Sequence, residues 1–323
     1  LGDAAVLQTF KTLPELFAAF PTEQSAIDHL TAIRFGQGRF CPLCGNIEDA
    51  ENGRKISALQ KTDKATGRTV PANMFKCYAC RQRFSIRVGT IFQDTKLPLR
   101  TWYAAIWLIT NHPKGIASTT LATDLGITQK SAWFVLHRLR HAARTPSFNR
   151  QLGDGGKPVE VDEKLVGGRD GNKHRAKRGL HGKTTVMGLV ERGGELRAGT
   201  VENNKAETLE PVVSHHVAEG ATVYTDEHRA YWHLDMAYNH DTVRHGRGEY
   251  VKGETHTNTI EGVWALLQRQ IVGIHHWVSP KHLDQYVSEM AFRYNRREMP
   301  KGERVNSLLG QIEGPLPYKV LIA

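Results

Sequence analysis

Cysteine is scarce in this chain: 323 residues hold four, and all four sit in two Cys-x-x-Cys pairs. That excludes the short, disulfide-dense scaffold of a small secreted domain and favours metal binding. Long apolar runs are missing too; none reaches the ~18 residues of a membrane span, so no membrane partner is expected. The opening residues, LGDAAVLQTFKTLPELFAAF, lack the basic and apolar regions of a secretory leader, and the expected location is cytoplasmic and nucleoid-associated. Acidic residues are the minority, 33 against 43 Lys and Arg, for a formal net charge of +10. Such an excess favours a polyanionic partner. No low-complexity segment or internal repeat is present, and the length suits two or three domains with their own cores.

Apolar spacing over residues 10–35 predicts two helices, with Pro21-Thr22-Glu23 as stop and new start. A loop-rich stretch with every cysteine follows, then helices over 96–145. The Gly-rich polar segment FNRQLGDGGKP at 148–158 marks a domain boundary. Beyond it the pattern turns to strands at 159–166, 184–191 and 196–202, with Gly193-Gly194 turning the second into the third. A helix at 205–219, a short strand at 221–225 and helices near 256–270 and 280–297 complete a mixed α/β pattern. The expected domains are N-terminal helices (1–38), a zinc ribbon (39–92), a helix-turn-helix DNA-binding domain (93–147), a catalytic domain (158–300) and a C-terminal tail (301–323).

Zinc takes four soft ligands in a tetrahedron, and each Cys-x-x-Cys turn supplies two thiolates from one bend. Cys41, Cys44, Cys77 and Cys80 therefore read as one structural Zn²⁺ site, with residues 45–76 as the ribbon hairpin and its insertion. Around the second knuckle Lys76, Arg81, Arg83 and Arg87 interleave with Phe75, Tyr78 and Phe84, a pattern suited to a nucleic-acid surface. Residues 119–125 and 129–140, joined by Gly126-Ile127-Thr128, read as a helix-turn-helix. Ala132, Val135, Leu136 and Leu139 share the inward face of the second helix. Lys130, Ser131, Phe134, His137 and Arg138, with His141, are the candidate DNA-facing residues, phosphate contacts coming from the basic ones.

In the C-terminal half Asp162 lies inside an apolar strand, Asp226 ends another, and Glu261 starts a helix. A carboxylate in a buried strand is costly unless it is paired or holds a cation. Three such groups can hold two divalent ions for in-line phosphoryl transfer. Asn258, Glu261, Ala265 and Gln268 share one helical stripe, with Trp264 and Leu267 beside it packing inward. Strand alternation puts Glu160 on the face of Asp162 and Glu163 on the other. Both are expected to tolerate Gln, Glu160 being the riskier. His228, His245 and His256 lie close in sequence to the carboxylates, and residues 167–183 form a basic, Gly-rich connector suited to phosphate.

Taken together, FCPLCG, CYACRQRFSIRVGTIFQDTKLPLRTWYAAIWL, LGITQKSAWFVLHRLR, VEVDEKLVGG, YTDEHRAY, HTNTIEGVWALL and FRYNRRE resemble the bacterial insertion-sequence transposases with an N-terminal zinc ribbon, relatives of the Merlin transposons. The resemblance runs from about residue 10 to 298. It implies a ribonuclease-H-like fold and a DDE-type reaction with Asp162, Asp226 and Glu261 as the triad. Two Mg²⁺ or Mn²⁺ ions would serve each active site, and Asn258 is a possible auxiliary ligand. Where such proteins carry Lys seven residues after the Glu, this chain has Gln268 followed by Arg269, and both are candidate DNA contacts. The implied activity is end binding at terminal inverted repeats, cleavage there and joining of 3′-hydroxyl ends to target DNA, by a homodimer or larger assembly. Two other readings use the same residues: a domesticated DNA-binding regulator that no longer cuts, and a zinc-ribbon nuclease that cuts without joining.

Overall fold

A computed structural model describes residues 9–49, 52, 54–144, 150–167, 183–243 and 255–323. Two compact units divide the chain. The first gathers Leu1–His112, Ser118–Ala143 and Met299–Ala323, and the second Pro113–Ala117 and Arg144–Glu298.

The first unit begins with α1 (Leu13–Ala19) and α2 (Glu23–Phe35). Thr12 caps α1, and Thr22 with Ser25 closes a capping box on α2, so the Pro21-Thr22 step does stop one helix and start the next. The ribbon follows as an antiparallel sheet of β1 (Ile56–Thr62), β2 (Thr69–Cys77) and β3 (Arg83–Ser85). At the centre lies α3 (Leu99–Asn111), apolar nearly all round and buried accordingly. It packs against α1, α2, α4 (Ser118–Leu125), α5 (Gln129–Ala143) and α9 (Lys301–Leu309). Between α4 and α5, Gly126 adopts φ +63°, a backbone state that glycine accepts at no steric cost. Thr128 then caps α5 by accepting from the Ser131 backbone at 3.2 Å.

Residues 301–323, expected as a tail, are part of this core. Gly302 lies so close to Phe10 that a Cβ would fall 2.4 Å from its carbonyl oxygen. Ile91 donates to the Ile312 carbonyl at 2.9 Å, and Arg34 pairs with Glu313 through both carboxylate oxygens, at 2.7 and 3.0 Å. A short last helix, α10 (Tyr318–Ile322), ends the unit.

The second unit is a five-stranded sheet in the order β6-β5-β4-β7-β8. β4 (Val159–Val166), β5 (Thr184–Glu191) and β6 (Leu196–Val201) are antiparallel; β7 (Thr222–Thr225) runs parallel to β4, and β8 (Asn239–Thr242) parallel to β7. Side-chain alternation divides the apolar residues between two faces. Val159, Val161, Met187 and Leu189 pack with α6 (Ala206–His216). Val186 and Val190 pack on the other face with α7 (Asn258–Gln270) and α8 (Pro280–Asn295). Fully burying side chains such as Ile260, Val263 and Leu267 contributes roughly 1.5–3 kcal/mol each, and this docks α7 on the sheet. Gly188 sets how closely: a Cβ there would lie 2.7 Å from the Trp264 ring and 2.9 Å from Ile260.

Candidate active site and metal centre

β4 and β7 pair in parallel with Glu160 opposite Tyr224. Two residues on from that pair stand Asp162, within the central strand, and Asp226, just past the end of its neighbour. The Trp264 indole donates to Asp162 Oδ2 at 2.7 Å, and the Glu163 backbone donates to Oδ1 at 2.8 Å. Asp226 accepts from the His228 backbone at 2.9 Å. Burial pushes the Asp162 carboxyl up to about 7; the indole bond opposes that rise, and repulsion from Asp226 and Glu163 adds to it. A desolvated carboxylate repelled by two nearby acids forms a site that a divalent cation would relieve. Glu261 stands on the exposed stripe of α7 with Asn258, Ala265 and Gln268, while Trp264 and Leu267 are buried behind it. The Thr257 hydroxyl lies 3.4 Å from the Glu261 carboxylate. Asp162, Asp226 and Glu261 are not drawn into one tight ligand cluster; among the described residues only the four cysteines are.

That cysteine cluster fits zinc closely. Cys41 and Cys80 sulfurs are 3.8 Å apart, Cys44 and Cys77 sulfurs 3.9 Å, and all four lie within 4.8 Å of one another. A tetrahedron with zinc–sulfur bonds of about 2.3 Å has edges of about 3.8 Å.

Glu160 and Glu163, expected to tolerate Gln, both make specific contacts. Glu163 faces α6 as alternation requires; it accepts from the Tyr231 hydroxyl, and its carboxylate lies 3.5 Å from His228 Nδ1. Burial raises its carboxyl, and Asp226 adds to the rise. Glu160 is fully buried on the α7 side, engaged by Thr259, Ile260 and Arg192. The alternation in Val159-Glu160-Val161-Asp162 was the available signal for it, since an acid on the face of Asp162 must meet whatever packs there.

The DNA-facing expectations divide. Lys130 is exposed and Ser131 half-buried at the start of α5; Arg81, Arg83, Gln268 and Arg269 are exposed. His137 and Arg138, by contrast, are buried. Arg138 donates to the carbonyls of Ile91 and Gln93, both at 2.9 Å, and of Leu316 at 3.2 Å. Its guanidinium lies 4.4 Å from the Phe134 ring centroid, and Phe134 packs edge-on to Tyr318. These groups hold the unit together and are not presented for base reading. Arg87 is engaged as well, pairing with Glu23 at 2.7 Å. Phe75 and Phe84 stack inside the ribbon, which leaves Tyr78 as its exposed aromatic. His256 lies 3.4 Å from Glu160. The basic connector at 168–182 and His245 lie outside the described residues.

Residues 152–295 match the ISXO2-like transposase domain family. Over 306 residues the chain is 28% identical to an uncharacterized protein in transposable element ISH50 of Halobacterium salinarum, a match covering 90% of this chain and 97% of that protein. Residues 152–295 thus carry an ISXO2-like transposase domain, and the two matches together support an insertion-sequence DDE-type transposase. A shorter match, 26% over 100 residues, links the chain to a transposase-like protein of Haemophilus influenzae, covering 31% of this chain and 80% of that one. Among solved structures, a simian T-cell lymphotropic virus intasome in complex with a PP2A regulatory subunit matches at 14% identity. That match covers 53% of this chain and 63% of the other, with a TM-score of 0.26, too low to carry an argument. Among the described residues, no helix is long and apolar enough to cross a membrane.

Proposed function

We propose that this transposase binds the terminal inverted repeats of its element, cleaves at the ends and joins the freed 3′-hydroxyl to target DNA, with a ribonuclease-H-like second unit as its catalytic core. One observation carries the reading: Asp162, buried in the central strand β4 and repelled by Asp226 at the end of neighbouring β7, is bonded by Trp264 of α7, the helix that bears Glu261. The strand order, three antiparallel strands with two more parallel to the first, supports the ribonuclease-H-like assignment.

Asp162, Asp226 and Glu261 would hold the divalent ions, Mg²⁺ or Mn²⁺. Bound there, the ions would activate the attacking oxygen and stabilise the leaving one. The chain's own part is orientation. Trp264 fixes one oxygen of Asp162, the His228 backbone fixes Asp226, and the β4–β7 pairing holds their strands side by side. Asn258, Gln268 and Arg269, on the outer side of α7, are suited to steer DNA across the site. The four cysteines hold one structural zinc. Lys130, Arg81 and Arg83 supply phosphate contacts, and a homodimer or larger assembly on DNA brings two ends together.

The test uses duplexes copied from the DNA flanking the gene. Purified protein should nick them at the element boundary only with Mg²⁺ or Mn²⁺, and should join pre-cut ends to a target plasmid. Nicking without joining would leave a nuclease; binding without metal-dependent nicking would leave a regulator.

A further inference from the structure

Thr257, the residue before helix α7, makes no side-chain capping bond to the helix N–H groups. The second and third helical residues, Thr259 and Ile260, therefore carry backbone N–H groups with no partner inside the helix. Both donate to one oxygen of Glu160, at 2.8 and 3.0 Å. The other oxygen accepts from the Thr259 hydroxyl at 2.8 Å and from Arg192 Nε at 2.7 Å. Arg192 also holds the His256 carbonyl at 3.0 Å, just ahead of the helix. A helix N-terminus favours an anion, and a paired guanidinium offsets the cost of burying this one. Side chains normally cap their own helix; here the cap comes from a strand 99 residues earlier.

We propose that Glu160 is a positioning residue, which fixes the first turn of α7 on β4 and so sets Glu261 relative to Asp162. Two residues along the same strand face separate Glu160 from Asp162, and one peptide bond separates Ile260 from Glu261. The clamp thus ties together the two elements that carry the first and third acids. The Trp264–Asp162 bond is a second tie one turn further along the helix. A Gln at 160 would hold the first turn less firmly and leave Arg192 without its carboxylate. The acids would remain, but their spacing would loosen, and cation binding is the property most sensitive to it. The inference rests on the assignment of Asp162, Asp226 and Glu261 as metal ligands.

Mn²⁺ is the probe. Zinc-loaded full-length protein is titrated with Mn²⁺, free ion being read by electron paramagnetic resonance, alongside thermal unfolding and end cleavage. E160Q should raise the Mn²⁺ dissociation constant at least tenfold, the scale on which groups behind metal ligands act. Excess Mn²⁺ should restore much of the cleavage. Glu191→Gln, which removes another buried, Arg-paired carboxylate of this unit, should leave Mn²⁺ binding unchanged. Should E160Q fail to fold, Thr259→Val removes one bond to Glu160 without stranding a charge and should shift Mn²⁺ binding about threefold in the same direction. A folded E160Q with wild-type Mn²⁺ binding overturns the proposal, as does an unshifted Thr259→Val where E160Q cannot be folded. Wild-type protein that binds no Mn²⁺ overturns the ligand assignment itself.

Discussion

Helices α5 and α7 look alike in sequence: each has one clean apolar stripe and a polar face suited to DNA. In the structure α7 keeps its polar stripe exposed, with Asn258, Glu261, Ala265 and Gln268 all on the surface. Helix α5 keeps exposed little beyond its first turn; His137, Arg138 and Arg140 are buried as deeply as its leucines. The difference lies in what comes back to cover each helix. Residues 312–318 return over unit 1, where the Leu316 carbonyl and the Tyr318 ring meet Arg138 and Phe134 from 178 and 184 positions away. Periodicity says which face of a helix is apolar. It does not say whether a second layer will cover the polar one.

The largest effects test α7 and its strands as the seat of chemistry. Asp162→Asn, Asp226→Asn and Glu261→Gln should each lower cleavage by about a thousandfold or more, since losing a metal ligand costs several kcal/mol of barrier and 1.36 kcal/mol is tenfold. End binding, measured by mobility shift, should stay within about threefold because the residues proposed for phosphate contact, Lys130, Arg81 and Arg83, are left unchanged. A Glu261→Gln protein that still joins ends at the wild-type rate would move the third ligand to another residue and remove the functional half of the contrast.

Next in size is the ribbon. Cys77→Ser takes one of four thiolates from a site whose binding energy is also folding energy, on the order of 10 kcal/mol in small zinc domains. Metal analysis should find less than one zinc per chain, and limited proteolysis should cut within residues 39–92 before α3. Intact ribbon structure after complete zinc removal would break this expectation.

Arg138→Ala then probes α5 directly. A buried guanidinium serving three carbonyls should cost about 3 kcal/mol when removed, which for a unit of this size lowers Tm by roughly 10 °C. Any loss of DNA binding should follow the unfolded fraction and vanish at low temperature. Persistent loss in a fully folded variant would return Arg138 to the DNA face and erase the difference between the two helices.

How much of this was legible beforehand follows the same division. Strands β4 and β5 read off at their observed limits, because apolar residues fill them and Gly193-Gly194 ends the hairpin. Helices α4 and α5 and the turn between them read off as well, since Gly126 and Thr128 mark turn and cap by local chemistry. Strand β8, Asn239–Thr242, gave no sign: its four polar residues lie at a sheet edge and owe their state to pairing with β7. The C-terminal segment gave none either, its role being set by partners hundreds of positions away. Asp162 could be singled out because it is an acid inside an apolar strand, and Asp226 because it stands at the end of another. The clamp by Glu160 could not, since it needs the docking of α7, which only the packed sheet supplies.

The smallest effect comes from Lys130, a basic residue that α5 does leave in solvent. Its ammonium lies 5.3 Å from the Tyr318 ring centroid, a contact worth about 0.5–1 kcal/mol at most for an exposed pair. Lys130→Ala should therefore leave Tm within about 3 °C of wild type, where Arg138→Ala should not. If Lys130 meets a phosphate, its loss releases one fewer counterion, and the slope of log affinity against log salt should fall by about 0.9. Affinity should drop for specific and non-specific duplexes alike, because a phosphate contact carries no base information. The measurement is a binding series between low and physiological salt on both duplexes. An unchanged slope would mean that α5 offers DNA nothing at its start either, leaving Arg81 and Arg83 of the ribbon as the basic groups of this unit to try next.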